Sequence, residues 1–236
     1  MIPLHGRGAS DVRFAARQAA LTFSVFSVLS VVSRLHAAPE DVLLQARAKV
    51  LLVQARVGGT DRAGTGFIVG PGRALTSEHV VRGARRITLW INEAPYVASV
   101  ARADRARDLA LLAIEDAALA IKPLSVSDAA GTRPGEPVLI LGCHPLLQRG
   151  RVPRVRQSVI SGQFQRLGHF TGPLASPEGT IELLASIERG DSGGPVIRVR
   201  DGAVIGIVRA RNHAGADGRS RTAWAVPIEA ARPLLR

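Results

Sequence analysis

Residues 188–197 read ERGDSGGPVI, and Ser192 stands at their centre. A serine with glycines at 190, 193 and 194 lies on a tight turn, and Pro195-Val196-Ile197 then leads the chain into an extended run. A serine hydroxyl is a poor nucleophile at neutral pH because its proton leaves too rarely. It needs a base whose pKa lies near the working pH, and a carboxylate that holds the base in one tautomer. Two stretches upstream carry those groups. LTSEHVV (75–81) offers His79 as the base, and RDLALLAI (107–114) offers Asp108 as the carboxylate, with Asp104 as its rival four residues earlier. Gly190 can turn its own N–H beside that of Ser192, so that two backbone donors face the negative charge of a tetrahedral intermediate. Gly193 and Gly194 let the chain pass close to its neighbours. Ser77 and Ser186 lack such glycines and read as structural hydroxyls. His5, His36, His144, His169 and His213 read as surface or satisfied interior residues.

Outward from these motifs the chain is a succession of short β-rich runs. VLLVQARV, GTGFIVG, RITLWI, YVASVARAD and LALLAI precede a polar stretch, residues 122–137, that holds three prolines. VLILG, RVRQSVISG, TIELLASI, GPVIRV, AVIGIVRAR and TAWAVPI follow it. Short strands at regular spacing, split by one connection, predict an all-β fold of two antiparallel six-stranded barrels with short terminal helices. The expected organisation is an N-terminal barrel over 38–121 carrying His79 and Asp108, a linker over 122–137, and a C-terminal barrel over 138–236 carrying Ser192. Helices of ten or more residues alternating with strands, as an α/β fold requires, are missing. Residues 39–48, with acids in the first turn, predict a short opening helix, and residues 229–235 a helical tail.

Composition narrows the function. The formal net charge is +12, which raises the question of nucleic acid. Lys49 and Lys122 are the only lysines, the arginines are dispersed, and aromatic residues that could stack on bases make up only 4% of the chain. No nucleic-acid partner is expected. No His/Cys/Asp cluster has the spacing of metal ligands, so neither metal nor organic cofactor is expected. Cys143 is the only cysteine, which excludes an intramolecular disulfide. It neighbours His144 in an apolar run, where adjacent side chains on a strand point to opposite faces, and it reads as a small buried residue.

The first 37 residues have the layout of an export signal. Arg7, Arg13 and Arg17 precede the apolar stretch AALTFSVFSVLSVVS, and Ala37-Ala38 offer a cleavage site. The stretch is short for a membrane span of about 20 residues, so stable insertion is expected only if the signal stays uncleaved. A periplasmic or secreted location follows.

ERGDSGGP, TSEHVV and DLALL together resemble the trypsin-like serine proteases, in which the chain order is also His, Asp, Ser. The nearer likeness is to the bacterial HtrA/Deg branch. Gly64-Thr65-Gly66-Phe67 ends twelve residues before His79, Leu141-Gly142 is followed by Pro145, and VIGIV is followed by WAVPI. The resemblance covers residues 48–230. It implies peptide-bond hydrolysis in protein or peptide substrates through His79, Asp108 and Ser192, and it selects Asp108 over Asp104. Gly190 and Ser192 would form the oxyanion hole, and Ser186 the floor of the primary pocket, where a neutral residue favours small or medium apolar side chains. The alternative reading is a catalytically silent binding or scaffold protein of the cell envelope.

Two features depart from that branch. No PDZ domain is expected after Arg236. Asp191 stands where the branch usually has asparagine, and it is the residue that in activated trypsins pairs with a freed amino terminus. No such segment exists here, so an arginine is the expected partner of its buried charge.

Overall fold

A computed structural model describes residues 39–116, 121–146, 154–169, 178–211 and 222–236. The expected export segment, with His5 and His36, lies outside the described residues, as does His213.

Helix α1 (Pro39–Arg47) opens the described chain. Pro39 sits in its first turn with Glu40 and Asp41, and Arg47 closes the last, an arrangement that complements the backbone dipole. Val42 and Ala46, four apart, are its buried face.

Strands β1 (Val50–Val57), β2 (Thr60–Gly70), β3 (Arg73–Ser77), β4 (Arg86–Ile91), β5 (Ala94–Asp104) and β6 (Leu109–Ile114) form a closed barrel in the order β1-β2-β3-β6-β5-β4. Strands β7 (Pro137–Leu146), β8 (Arg154–Gly168), β9 (Thr180–Leu184), β10 (Pro195–Arg198), β11 (Val204–Arg211) and β12 (Thr222–Pro227) close a second, in the order β10-β11-β12-β9-β8-β7. Every pairing between them is antiparallel. Closure removes the exposed edges that an open sheet would present to other chains. The all-β, two-barrel expectation is therefore met.

Two local expectations need correction. Strand β3, RALTS, did not stand out as a β run, because it is short and rich in hydroxyls. It forms because β2 and β6 pair with it from both sides and bury every residue after Arg73. At the other end, Ala185–Ile187 leave the ladder after β9 instead of extending it.

The apolar runs are continuous, not alternating, because both faces are covered. In β1, Leu51, Val53 and Ala55 point into the first barrel, while Val50 and Leu52 join a separate cluster. That cluster joins the two barrels: Phe67, Leu75 and Leu109 of the first meet Leu139, Leu141 and Ile207 of the second. Fully burying each such side chain stabilises the fold by roughly 1.5–3 kcal/mol relative to exposure. The barrels are thus clamped by a core of their own, and whatever lies along that seam is held rigidly.

Cys143 belongs to this joining core and is wholly buried. Burial pushes its thiol up to about 12, and the negative charge of Asp191 adds to the effect against a hydrogen bond with Gln157. The thiolate is the reactive form. Iodoacetamide at pH 8 is therefore expected to leave Cys143 unmodified in the folded protein and to alkylate it fully in urea, as intact-mass measurement would record.

Candidate active site

His79 lies on α2 (Glu78–Val81), a single helical turn that starts where β3 ends, with Ser77 at its N-cap position. The turn is held from below by the residue that immediately precedes β6. Glu78 N–H donates to the Asp108 carbonyl at 3.1 Å, and His79 N–H donates to Asp108 Oδ1 at 2.8 Å. The second carboxylate oxygen, Oδ2, is 2.7 Å from His79 Nδ1. One carboxylate thus grips both the backbone and the ring of the same histidine. With Nδ1–H committed to Asp108, Nε2 is the nitrogen left to accept a proton. Arg62 Nη1 adds a 2.8 Å bond to the His79 carbonyl. Asp108 is 5% exposed and adopts φ +58°, a left-handed conformation that aspartate tolerates better than most residues. Such backbone costs about 1–3 kcal/mol and persists where its surroundings dictate it.

The rival carboxylate has another job. Asp104 accepts from Arg107 N at 3.0 Å and from Arg107 Nη1 at 2.8 Å, while Arg107 Nη2 reaches Glu178 at 2.7 Å. Burial alone would raise the Asp104 pKa, but the Arg107 amide and guanidinium outweigh it and hold the carboxyl below its ordinary value. A depressed carboxyl stabilises the fold above its unfolded pKa of about 3.9, and that contribution is lost as pH falls through the lower folded value. The Tm difference between the wild type and Arg107→Gln is therefore expected to be full at pH 6 and to shrink towards pH 2.5. Scanning calorimetry across that range would measure it.

The Ser192 turn belongs to the second barrel but is tied to the first. Thr65 N–H donates to the Ser192 carbonyl at 2.8 Å, Gly193 N–H to Val208 O at 2.8 Å, and Gly194 N–H to Asp191 O at 2.9 Å. Ser77 Oγ also donates to Val208 O, at 3.1 Å, which assigns it a structural role across the seam. Gly193 has φ +87°, and a Cβ there would lie 2.2 Å from Thr65 O and 2.8 Å from Ser77 N. Only glycine lets the turn approach the strand end that carries His79. The seam therefore brings the His79–Asp108 pair and the Ser192 turn together.

Gly190 has φ +105°, and its carbonyl accepts from Thr65 Oγ1 at 2.7 Å. The N–H groups of Asp191, Gly193 and Gly194 are spent in backbone bonds, whereas those of Gly190 and Ser192 take no part in that network among the described residues. Ser186 is exposed, between Ala185 and Ile187, which are buried in the core of the second barrel. His169 is exposed on the stretch after β8.

Asp191 is fully buried, and among the described residues its carboxylate meets a histidine where an arginine was expected. Oδ1 is 2.9 Å from His144 Nε2, and Oδ2 accepts from Glu188 N–H at 2.6 Å. His144 is therefore an interior residue paired with a charge. No local pattern joins residues 47 positions apart, so only the fold could reveal the pair.

Two more residues escaped the sequence reading. Thr65, inside the quoted GTGF run, bridges the barrels by donating to Gly190 O and accepting from Cys143 N at 2.8 Å. Arg209 on β11 places Nε 3.8 Å from Asp108 Oδ2, and its Nη1 is buried without a hydrogen-bond partner among the described residues.

Comparison with known proteins agrees with this geometry. Residues 64–207 match the family model described as a trypsin-like peptidase domain. Serine protease Rv3671c of Mycobacterium tuberculosis is 33% identical over 147 residues, which are 61% of this chain and 35% of that protein. Human serine protease HTRA4 is 34% identical over 175 residues, 73% of this chain and 34% of that protein. The matched region thus spans about a third of the length of these curated relatives. The crystal structure of the active form of the Rv3671c protease superposes with TM-score 0.68 at 26% identity, covering 82% of each chain. The HtrA-type protease AlgW with a tripeptide gives TM-score 0.71 at 25% identity over 84% of this chain and 62% of that one. With its motifs, its two barrels and its family match in agreement, the chain belongs to the trypsin-like peptidase family, and its relatives include HtrA-type proteases.

Proposed function

We propose that the protein is a serine endopeptidase that cleaves proteins or peptides outside the cytoplasm. The observation that carries the reading is the two-point grip of Asp108 on His79, 2.7 Å at Nδ1 and 2.8 Å at the backbone N–H, beside the glycine turn of Ser192. The proposed roles follow from the chemistry. Ser192 Oγ attacks the scissile carbonyl carbon as its proton passes to His79 Nε2, and Asp108 stabilises the imidazolium that forms. The N–H groups of Gly190 and Ser192 hold the oxyanion. The C–N bond then breaks as His79 returns the proton to the leaving amine, giving an ester at Ser192. Water, deprotonated by the same imidazole, releases the acid.

Export rests on the basic start and apolar run of the first 37 residues. For specificity, the exposed and uncharged Ser186 supports cleavage after small or medium apolar residues, and preferential cleavage after Lys or Arg in a peptide library would refute that preference. A fluorophosphonate probe tests the activity itself. It is expected to add one phosphonyl group to the folded protein, mapped by peptide mass spectrometry to Ser192. Absence of labelling would refute the endopeptidase reading and favour a silent binding protein.

A further inference from the structure

The turn that would hold the oxyanion is gripped from one side by the His144 imidazole. His144 Nε2 is 2.9 Å from Asp191 Oδ1, and the same ring lies against the neighbouring glycine: a Cβ on Gly190 would come within 2.6 Å of His144 Nδ1. His144 is 8% exposed and Asp191 fully buried, so the contact is made away from bulk water. A second grip comes from the first barrel, where Thr65 Oγ1 donates to the Gly190 carbonyl at 2.7 Å. The peptide between Gly190 and Asp191 is thus held at its oxygen by Thr65, at the following side chain by His144, and at the preceding Cα by the His144 ring.

We infer that His144 is a positioning residue for catalysis, which sets the Gly190 N–H towards the reacting carbonyl by pairing with Asp191 and packing on Gly190. The inference rests on the endopeptidase reading above and adds a residue to it. A buried carboxylate must be ionised beside a partner, become protonated, or move to water. Asp191 sits between the oxyanion glycine and Ser192, so any movement of its side chain towards solvent drags both donors with it. His144 on Oδ1, together with the Glu188 N–H on Oδ2, removes the reason to move. Position 144 lies on β7, within the second barrel and clamped by β8, so it offers a rigid anchor. Without that anchor the turn can still form, but its donors lose their fixed direction. Donors to an oxyanion act chiefly in the transition state, so their loss appears in kcat and leaves KM nearly unchanged.

The test compares the wild type, His144→Leu, His144→Gln, Asp191→Asn and the double variant H144L/D191N on one chromogenic peptide, with kcat and KM taken well below each Tm. His144→Leu is expected to lower kcat roughly a hundredfold, the scale of one lost oxyanion donor, with KM within about threefold. His144→Gln, whose amide can still donate to Asp191, is expected to recover at least tenfold of that loss. In the D191N background no buried charge needs a partner, so H144L is expected to cost less than about fivefold. A His144→Leu enzyme with kcat near the wild type, or an equal loss in both backgrounds, would overturn the inference. If His144→Leu does not fold, the comparison of H144L/D191N with D191N decides alone, and a hundredfold loss there would overturn it. A wild-type protein that turns over no peptide and takes no fluorophosphonate would instead sink the endopeptidase reading. A wild type that does both, beside an unaffected His144→Leu, would sink only the role of His144.

Discussion

Ser192→Ala is expected to lower kcat on a peptide substrate by about a millionfold while KM and Tm stay close to the wild-type values. The size follows from what the hydroxyl does and what it does not do. It would supply the atom that becomes bonded to substrate, while the described seam hydroxyls of Thr65, Thr76 and Ser77 are each spent on a backbone carbonyl. The turn itself is held through backbone: Thr65 N–H on the Ser192 carbonyl and Gly193 N–H on Val208 O both survive the substitution. The positive φ values of Gly190 and Gly193 are likewise untouched. Fold and substrate binding should therefore persist with the chemistry removed, and a residual rate above that of water would come from the oxyanion donors and binding alone. Steady-state kinetics and a thermal melt on the same preparation check both halves. Turnover within tenfold of the wild type would show that the bond is broken elsewhere.

Asp108→Asn is expected to lower kcat by about 10⁴-fold, a loss of orientation and tautomer without loss of the nucleophile. Both carboxylate oxygens accept from His79, Oδ1 from the backbone N–H and Oδ2 from Nδ1. An asparagine has only one acceptor oxygen. If that oxygen keeps the backbone N–H, its NH₂ faces Nδ1 and forces the tautomer in which Nε2 carries the proton and cannot act as a base. If the amide flips, the His79 turn loses its anchor. Asparagine tolerates the φ of +58° at this position, so the backbone should hold. The stability cost should nonetheless be about 1–3 kcal/mol, because one neutral acceptor oxygen replaces a charged carboxylate that accepts two bonds. Arg209, whose Nε lies 3.8 Å from Oδ2, also loses its carboxylate neighbour. Urea unfolding would measure that cost and kinetics the rest. An Asp108→Asn enzyme as fast as the wild type would mean that the carboxylate does not orient the base.

The local patterns were legible because each is set by a few neighbouring residues. Apolar runs broken by Gly and Pro marked eleven of the twelve strands among the described residues, and α1 was marked by its acids and its 3.6-residue spacing. The missed strand, β3, has almost no pattern of its own and exists because two flanking strands need a partner. Asp108 and its rival Asp104 lie four residues apart; the resemblance selected Asp108, and their partners show the difference in physical terms, since one holds His79 and the other Arg107.

The sequence by itself determined the two-barrel class, the order of the three candidate catalytic side chains, and the glycines that let the Ser192 turn form, since these depend on residue type and on periods of a few residues. Tertiary structure alone decided what satisfies the buried charges. Among the described residues Asp191 pairs with a histidine on β7, Thr65 of the first barrel holds Gly190 of the second, and Arg209 comes to lie beside Asp108. The physical reason is that a buried carboxylate or carbonyl takes whichever donor the closed barrels bring within about 3 Å. That choice depends on packing between strands far apart in the chain, about which the order of residues along one strand is silent.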